Sequence, residues 1–125
     1  MRIVFTDREL DVMSVLWDEK SATVAEVRIR LADRLAYTTV LTILRTLEQK
    51  GYVAHTDEGR AHRYHPLVER EKAGASALPR MLETLFGGSA ELLLTHLVRD
   101  RRFTKRELDR MRKLLDAKRP QGRKQ

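Results

Sequence analysis

Residues 35–66, LAYTTVLTILRTLEQKGYVAHTDEGRAHRYHP, place the tightest constraint on what this chain can fold into. Val40, Ile43, Leu44 and Leu47 recur at the spacing of one helical face, which predicts a helix over 37–50 buried along that stripe. The other face and its flanks then present Thr38, Thr39, Leu41, Thr42 and Arg45 outward. Gly51 is suited to the left-handed conformation that stops a helix. Beyond it, 52–56 and 62–66 are strand candidates. Asp57, Glu58 and Gly59 supply turn chemistry between them, with Arg60, His62 and Arg63 at or beyond the turn.

Upstream, two Thr-x-x-Glu pairs mark helix starts, Thr6 with Glu9 and Thr23 with Glu26; a third, Thr104 with Glu107, lies downstream. In such a box the Thr oxygen accepts from the amide three residues on, and the Glu accepts from the cap amide. Phe5 and Leu10, and likewise Phe103 and Leu108, have the spacing of a hydrophobic staple. The first helix is expected over 7–17, with Leu10, Met13, Leu16 and Trp17 available to the core. The second is expected over 24–33, burying Val24, Val27 and Leu31. Helix, helix, helix and hairpin in that order make a winged helix-turn-helix. Small hydroxyl side chains on an exposed helix, followed by a basic hairpin, suit a DNA major groove and the neighbouring backbone.

Composition sets the outer limits. At 125 residues with 42% apolar content, the chain can fill a modest core without a metal or disulfide, and no cofactor is expected. Without cysteine it has no disulfide, thiolate metal site or thiol nucleophile, which fits a reducing compartment. The first residues, MRIVFTDREL, lack the apolar core of a signal peptide, and no run is apolar enough for a membrane span, so a cytoplasmic protein is expected. The net charge of +7 is unevenly spread: residues 1–68 carry ten Lys/Arg and ten Asp/Glu, residues 69–125 fifteen and eight. Bulk charge is therefore no argument for DNA binding by the amino-terminal half. Local arrangement carries it instead, with five basic against three acidic residues over 34–68.

After Val68 the composition shifts to EREKAGASA, charged and then small, which places a domain boundary between about 68 and 78. Pro79 predicts a helix that starts near it or kinks there. Met81, Leu82, Leu85 and Phe86 form one stripe, Gly87 and Gly88 break it, and Ser89 can cap a helix bearing Leu93, Leu94, Leu97 and Val98. A last helix over 105–117 aligns Leu108, Met111, Leu114 and Leu115. Three short helices make too small a core to stand alone, and pairing with a second copy would bury their stripes. The fold class expected is mainly α with a small β-hairpin. A winged-helix domain over 1–70 is followed by a helical dimerisation domain over 71–118 and a disordered basic tail over 119–125. The tail is read as a solubilising end, with salt-sensitive DNA affinity as the alternative.

The segments LDVMSVLW (10–17), TVAEVRIRL (23–31), AYTTVLTILRTLEQKG (36–51), GRAHRYHPLVER (59–70) and FGGS (86–89) occur in an order and spacing that is specific as a set. By them the chain resembles the penicillinase-repressor family, the BlaI/MecI group of bacterial transcriptional repressors, over nearly its whole length. The resemblance implies a homodimer with one winged helix on each half of a palindromic operator, controlling a β-lactam-resistance or related stress operon. Physics and resemblance together assign the DNA contacts. Thr38, Thr39 and Thr42 are expected in the groove, Leu41 on a thymine methyl, Arg45 and Lys50 on phosphates, and Arg60 and Arg63 on phosphates or in a minor groove. One departure stands out. The family pattern has a basic residue just before the leucine that is Leu47 here; this chain has Thr46, with Arg45 one step earlier, which moves the charge by roughly 100° around the helix.

Some members of the family are cut by a sensor protease within the helix that corresponds to residues 90–101, at a bond that falls between His96 and Leu97. The Asn-Phe pair of those members is not kept. A copper-sensing branch uses cysteines, which this chain lacks. His55, His62 and His65 gather in the hairpin, but alternation sends His62 and His65 to opposite faces, so solvated or phosphate-facing histidines are expected rather than a metal site. Trp17 is read as a core anchor, and Tyr37 and Tyr64 as packing or phosphate-bonding groups. No nucleophile elbow, phosphate loop or HExxH motif is present, so no enzyme is expected. Two other functions stay open on sequence: a winged-helix protein-interaction module, and a non-specific nucleoid-binding protein driven by the tail.

Overall fold

The structure is a computed structural model that describes residues 3–119; most of the basic tail at 119–125 lies outside the described residues. The elements run α1 (Asp7–Glu19), β1 (Ala22–Thr23), α2 (Val24–Arg30), α3 (Tyr37–Gln49), β2 (Val53–Glu58), β3 (Ala61–Pro66), α4 (Arg70–Phe86), α5 (Ala90–Asp100) and α6 (Lys105–Ala117). All three Thr-x-x-Glu pairs close as full capping boxes, at the starts of α1, α2 and α6. The class is mainly helical, and the sheet has three strands rather than the two of a bare hairpin.

Packing groups the described residues into two units, one ending at Met81 and one beginning at Leu82. The first is built on Val12, Met13, Val15 and Leu16 of α1, Val24 and Val27 of α2, Val40, Leu44 and Leu47 of α3, and Tyr52, Val53 and Tyr64. Ile43 and Leu31 pack partly buried against this core, as does Trp17. Leu10 does not: it is 46% exposed, while Glu9 beside it is only 4% exposed. On a helix, one step is about 100°, and the inward arc of α1 is centred on positions 9, 12, 13 and 16. Phe5 meets Tyr52 and Trp17 edge-on, with ring centroids 4.9 Å and 6.1 Å away.

α2 is shorter than the sequence suggests. Leu31 is its C-cap in extended conformation, and the chain leaves the helix there rather than at Asp33. The strands order as β1-β3-β2, all antiparallel, with Ala22 opposite Tyr64 and Thr23 opposite Arg63 on one side, and His55 opposite Tyr64 on the other. Glu58 faces Ala61, leaving Gly59 and Arg60 as a two-residue turn. Gly59 takes φ +63 at its first position, a conformation that a Cβ would strain and that hairpin turns of this length use.

The segment 69–77, expected at a boundary, is helical. α4 begins at Arg70 and carries Pro79 in its interior, so the helix does not start near the proline. Pro79 leaves the Ala75 carbonyl without its usual helical donor. The start of α4 is tied to α1 and the amino terminus. Trp17 Nε1 donates to the Val68 carbonyl at 2.7 Å, Arg70 reaches Asp18 at 2.7 Å and lies over the Trp17 ring, and the Ile3 amide donates to Ser76 Oγ at 3.0 Å.

In the second unit, Gly87 and Gly88 turn the chain at positive φ, and Ser89 caps α5 by accepting from the Leu92 amide. The Phe86 and His96 rings meet 5.5 Å apart. No residue of α5 or α6 is fully buried, and Leu85, Val98, Leu114 and Leu115 are each more than half exposed. Leu108 is also 47% exposed. Among the described residues no helix is long and apolar enough to cross a membrane.

Candidate nucleic-acid interface

The buried stripe of α3 fixes which of its residues face outward. With Val40, Leu44 and Leu47 fully buried, Thr38, Thr39, Thr42 and Arg45 are all exposed. Thr38, Thr42 and Arg45 follow one another by four and three residues and so form a single row along the helix. Gln49, exposed four residues further on, completes that row; the sequence reading passed over it, although the same spacing could have found it. Leu41 is half-buried and packs against the core, so its apolar character is spent largely inside.

The start of α3 has an unusual chemistry among these helices. Its N-cap is Ala36, which gives no side-chain hydrogen bond, whereas α1, α2, α5 and α6 are all capped by a hydroxyl. The Thr39 and Val40 amides turn back to the Ala36 carbonyl, and no side chain caps the start, so the positive end of the helix dipole there suits an external anion such as a phosphate. The link that leads into this helix is held by Arg28, whose Nε donates to the Leu35 carbonyl at 2.9 Å. Along the row itself, Thr42 Oγ1 donates to the Thr38 carbonyl and Thr46 Oγ1 to the Thr42 carbonyl, both at 2.9 Å. Their hydrogens are engaged, and their oxygens are left to accept.

Two of the expected contacts are committed within the fold. Lys50 Nζ lies 2.8 Å and 2.9 Å from the two carboxylate oxygens of Glu9. Burial alone would raise the Glu9 carboxyl, but the hydrogen bond from Lys50 and the Thr6 amide hold it below the usual carboxylate range. Arg63, on the central strand, sits between Glu58 and Glu26, with its Nη2 3.0 Å from Glu58 and its Nη1 3.1 Å from Glu26. Those two carboxylates, Glu58 first, raise the guanidinium further above its already high value. Glu26 in turn is held low by the Thr23 amide and then by Arg63. Arg60, in contrast, stands exposed in the turn.

The aromatic and histidine side chains sort themselves clearly. Tyr64 is 1% exposed and belongs to the core; burial, with the negative charge of Glu48, raises its hydroxyl. Tyr37 is 45% exposed at the start of α3. His55 Nδ1 pairs with Glu48 of α3 at 2.7 Å, and His62 Nδ1 with Asp57 at 2.9 Å. His65 lies on the opposite face of the hairpin, as alternation requires.

A family model described as penicillinase repressor matches residues 5–117. The transcriptional regulator BlaI of Mycobacterium tuberculosis is 38% identical over 96 residues, which is 74% of this chain and 70% of that one. The penicillinase repressor of Bacillus licheniformis is 24% identical over 113 residues, 89% of this chain and 88% of its own length. Among solved structures, the DNA-binding domain of the repressor BlaI is similar at a TM-score of 0.50 and 32% identity, covering 58% of this chain and 93% of that domain. A winged helix-turn-helix matched by the family model along nearly all its length, the chain belongs to the penicillinase-repressor family of non-enzymatic, DNA-binding transcriptional repressors.

Proposed function

We propose that this chain is a homodimeric, sequence-specific repressor that binds a palindromic operator with α3 in the major groove of each half-site. The observation that carries the reading is the outward row Thr38, Thr42 and Arg45, with Thr39 beside it, on a helix whose N-cap, Ala36, gives no side-chain hydrogen bond. Thr38, Thr39 and Thr42 accept from base edges or meet thymine methyls, and Leu41 offers its exposed edge to a thymine. Arg45 takes a phosphate, as does Arg60 from the wing turn. Lys50 and Arg63 hold the frame through Glu9, Glu26 and Glu58, and reach DNA only if those pairs open.

The half-exposed leucines of α5 and α6 support a helical dimerisation domain that pairs with a second copy. Control of a β-lactam-resistance or related stress operon is supported by relatives that include the penicillinase repressor and the methicillin resistance regulatory protein MecI of Staphylococcus aureus. Release by a sensor protease would require α5 to open locally, because the bond between His96 and Leu97 lies inside that helix. A cytoplasmic location follows from such a role.

The test is selection of duplexes from a random library with the purified full chain at about 150 mM salt, where non-specific contacts are strongly weakened. A recovered palindrome supports the dimeric repressor. A folded dimer that recovers no motif overturns it and favours a protein-interaction module. Binding that ignores sequence and is lost on truncation after Ala117 points to a nucleoid-type protein.

A further inference from the structure

We propose that the wing carries a binding site for a divalent transition metal ion of the zinc type, made by His55, Asp57 and His62. His55 and Asp57 are two residues apart on β2, and His62 is the register partner of Asp57 on β3, so all three side chains share one face of the hairpin. One ligating atom from each comes within 4.8 Å of the others, and the two imidazole rings have centroids 4.2 Å apart. Two imidazoles and a carboxylate form a donor set that zinc accepts, with a fourth position left to water. His62 and Asp57 are exposed and His55 is partly so, which gives an ion a path in.

The surroundings fit a ligand set better than a chance cluster. His55 Nδ1 is bonded to Glu48 at 2.7 Å, which orients the ring and leaves Nε2 as its free nitrogen. A carboxylate behind a ligating histidine is the usual outer-shell arrangement. The His62 Nδ1 to Asp57 Oδ1 hydrogen bond of 2.9 Å is a place where a metal ion can replace the shared proton. With bonds of about 2.0–2.1 Å to each atom, tetrahedral geometry asks for roughly 3.3 Å between them, a modest opening of that pair. Zinc here ties β2 to β3 and, through Glu48, to the recognition helix. It also turns the negative Asp57 corner of the wing positive. The binding itself does not rest on the repressor assignment.

The experiment is calorimetric titration of Zn²⁺ into the metal-stripped full chain, repeated with Co²⁺ to record visible absorption bands of a low-coordinate site. One ion per chain is expected, with affinity falling by roughly tenfold or more in His62→Gln and in His55→Gln. His65→Gln, on the other face of the same strand, should bind like the parent. Asp57→Asn, at an exposed turn-proximal position, serves as a third variant should either histidine change perturb the far-ultraviolet circular dichroism. Absence of saturable uptake at one ion per chain overturns the site. So does uptake that His62→Gln, His55→Gln and Asp57→Asn leave intact, or that His65→Gln removes.

Discussion

Lys50, the C-cap of α3, closes onto Glu9, the third residue of α1, with its Nζ 2.8 Å from the carboxylate. The carboxylate is buried and also completes the Thr6 capping box, so one side chain joins the start of α1 to the end of α3. Lys50→Met leaves that carboxylate without its counter-charge. Because Lys50 itself is 39% exposed, the expected loss is roughly 1–2 kcal/mol, less than for a fully buried pair.

The same pair sets a pH dependence. The Glu9 carboxyl is held below the ordinary range in the folded state, so its stabilising contribution is complete above that range and lost as the pH falls through the depressed value. In Lys50→Met burial acts without the ammonium, and protonation then favours the folded state. Urea-unfolding midpoints of parent and variant should therefore differ at pH 7 and converge toward about pH 4. A gap that stays constant over this window would show that the pair is not responsible.

Arg45 and Thr39 are exposed, so their replacement tests DNA contact apart from folding. Arg45→Gln should weaken binding about equally across operator variants and lower the salt slope by about 1. Thr39→Ala should instead change preference at one operator position, by roughly 1 kcal/mol or more. Fluorescence anisotropy on the selected duplex measures both, and unchanged thermal midpoints exclude unfolding.

Lys20 is the one non-glycine residue among those described with positive φ, at +73°, where α1 ends. A side chain there is strained, and glycine relieves it at the cost of a looser unfolded chain. Lys20→Gly should raise stability by roughly 0.5–1 kcal/mol, read from chemical denaturation.

Trp17 holds the entry to α4 through its 2.7 Å hydrogen bond to the Val68 carbonyl. Trp17→Phe keeps most of the ring contact with Phe5 but leaves that carbonyl without its donor, at a cost of about 1–2 kcal/mol. Amide exchange should accelerate first in the opening turns of α4. Uniform acceleration across α1 to α3 would contradict a local role.

The sequence makes the local features plain and hides those that depend on distant partners. Three capping boxes were readable because each is complete within four residues, and the α3 stripe because four apolar residues repeat on one face. Leu10 misled because an apolar residue beside a glutamate argues for the glutamate being outside. Only Lys50, 41 positions away, makes Glu9 the buried one. β1 escaped notice because two residues carry no alternation; their pairing with Arg63 and Tyr64 defines them. Arg63 reads as a DNA-facing cation until Glu26 and Glu58 are seen on either side of it. His65, the obvious third histidine, is on the wrong face, and Asp57 takes its place by cross-strand pairing. Helix α4 passes through a proline that local propensity offered as either its start or a kink.

Thr23 is at once a residue of β1, the N-cap of α2 and the register partner of Arg63, whose guanidinium returns to Glu26 of the same capping box. The wing is therefore indexed to the helix-turn-helix like a gear to its shaft. A slip of one residue in β3 would turn Arg63 to the opposite face and strip Glu26 of its partner. A wing transplanted from another chain, or lengthened to reach further along a duplex, has to change only beyond Arg63 and Thr56. Variation confined to the tip can alter what the hairpin touches while leaving α3 where it is.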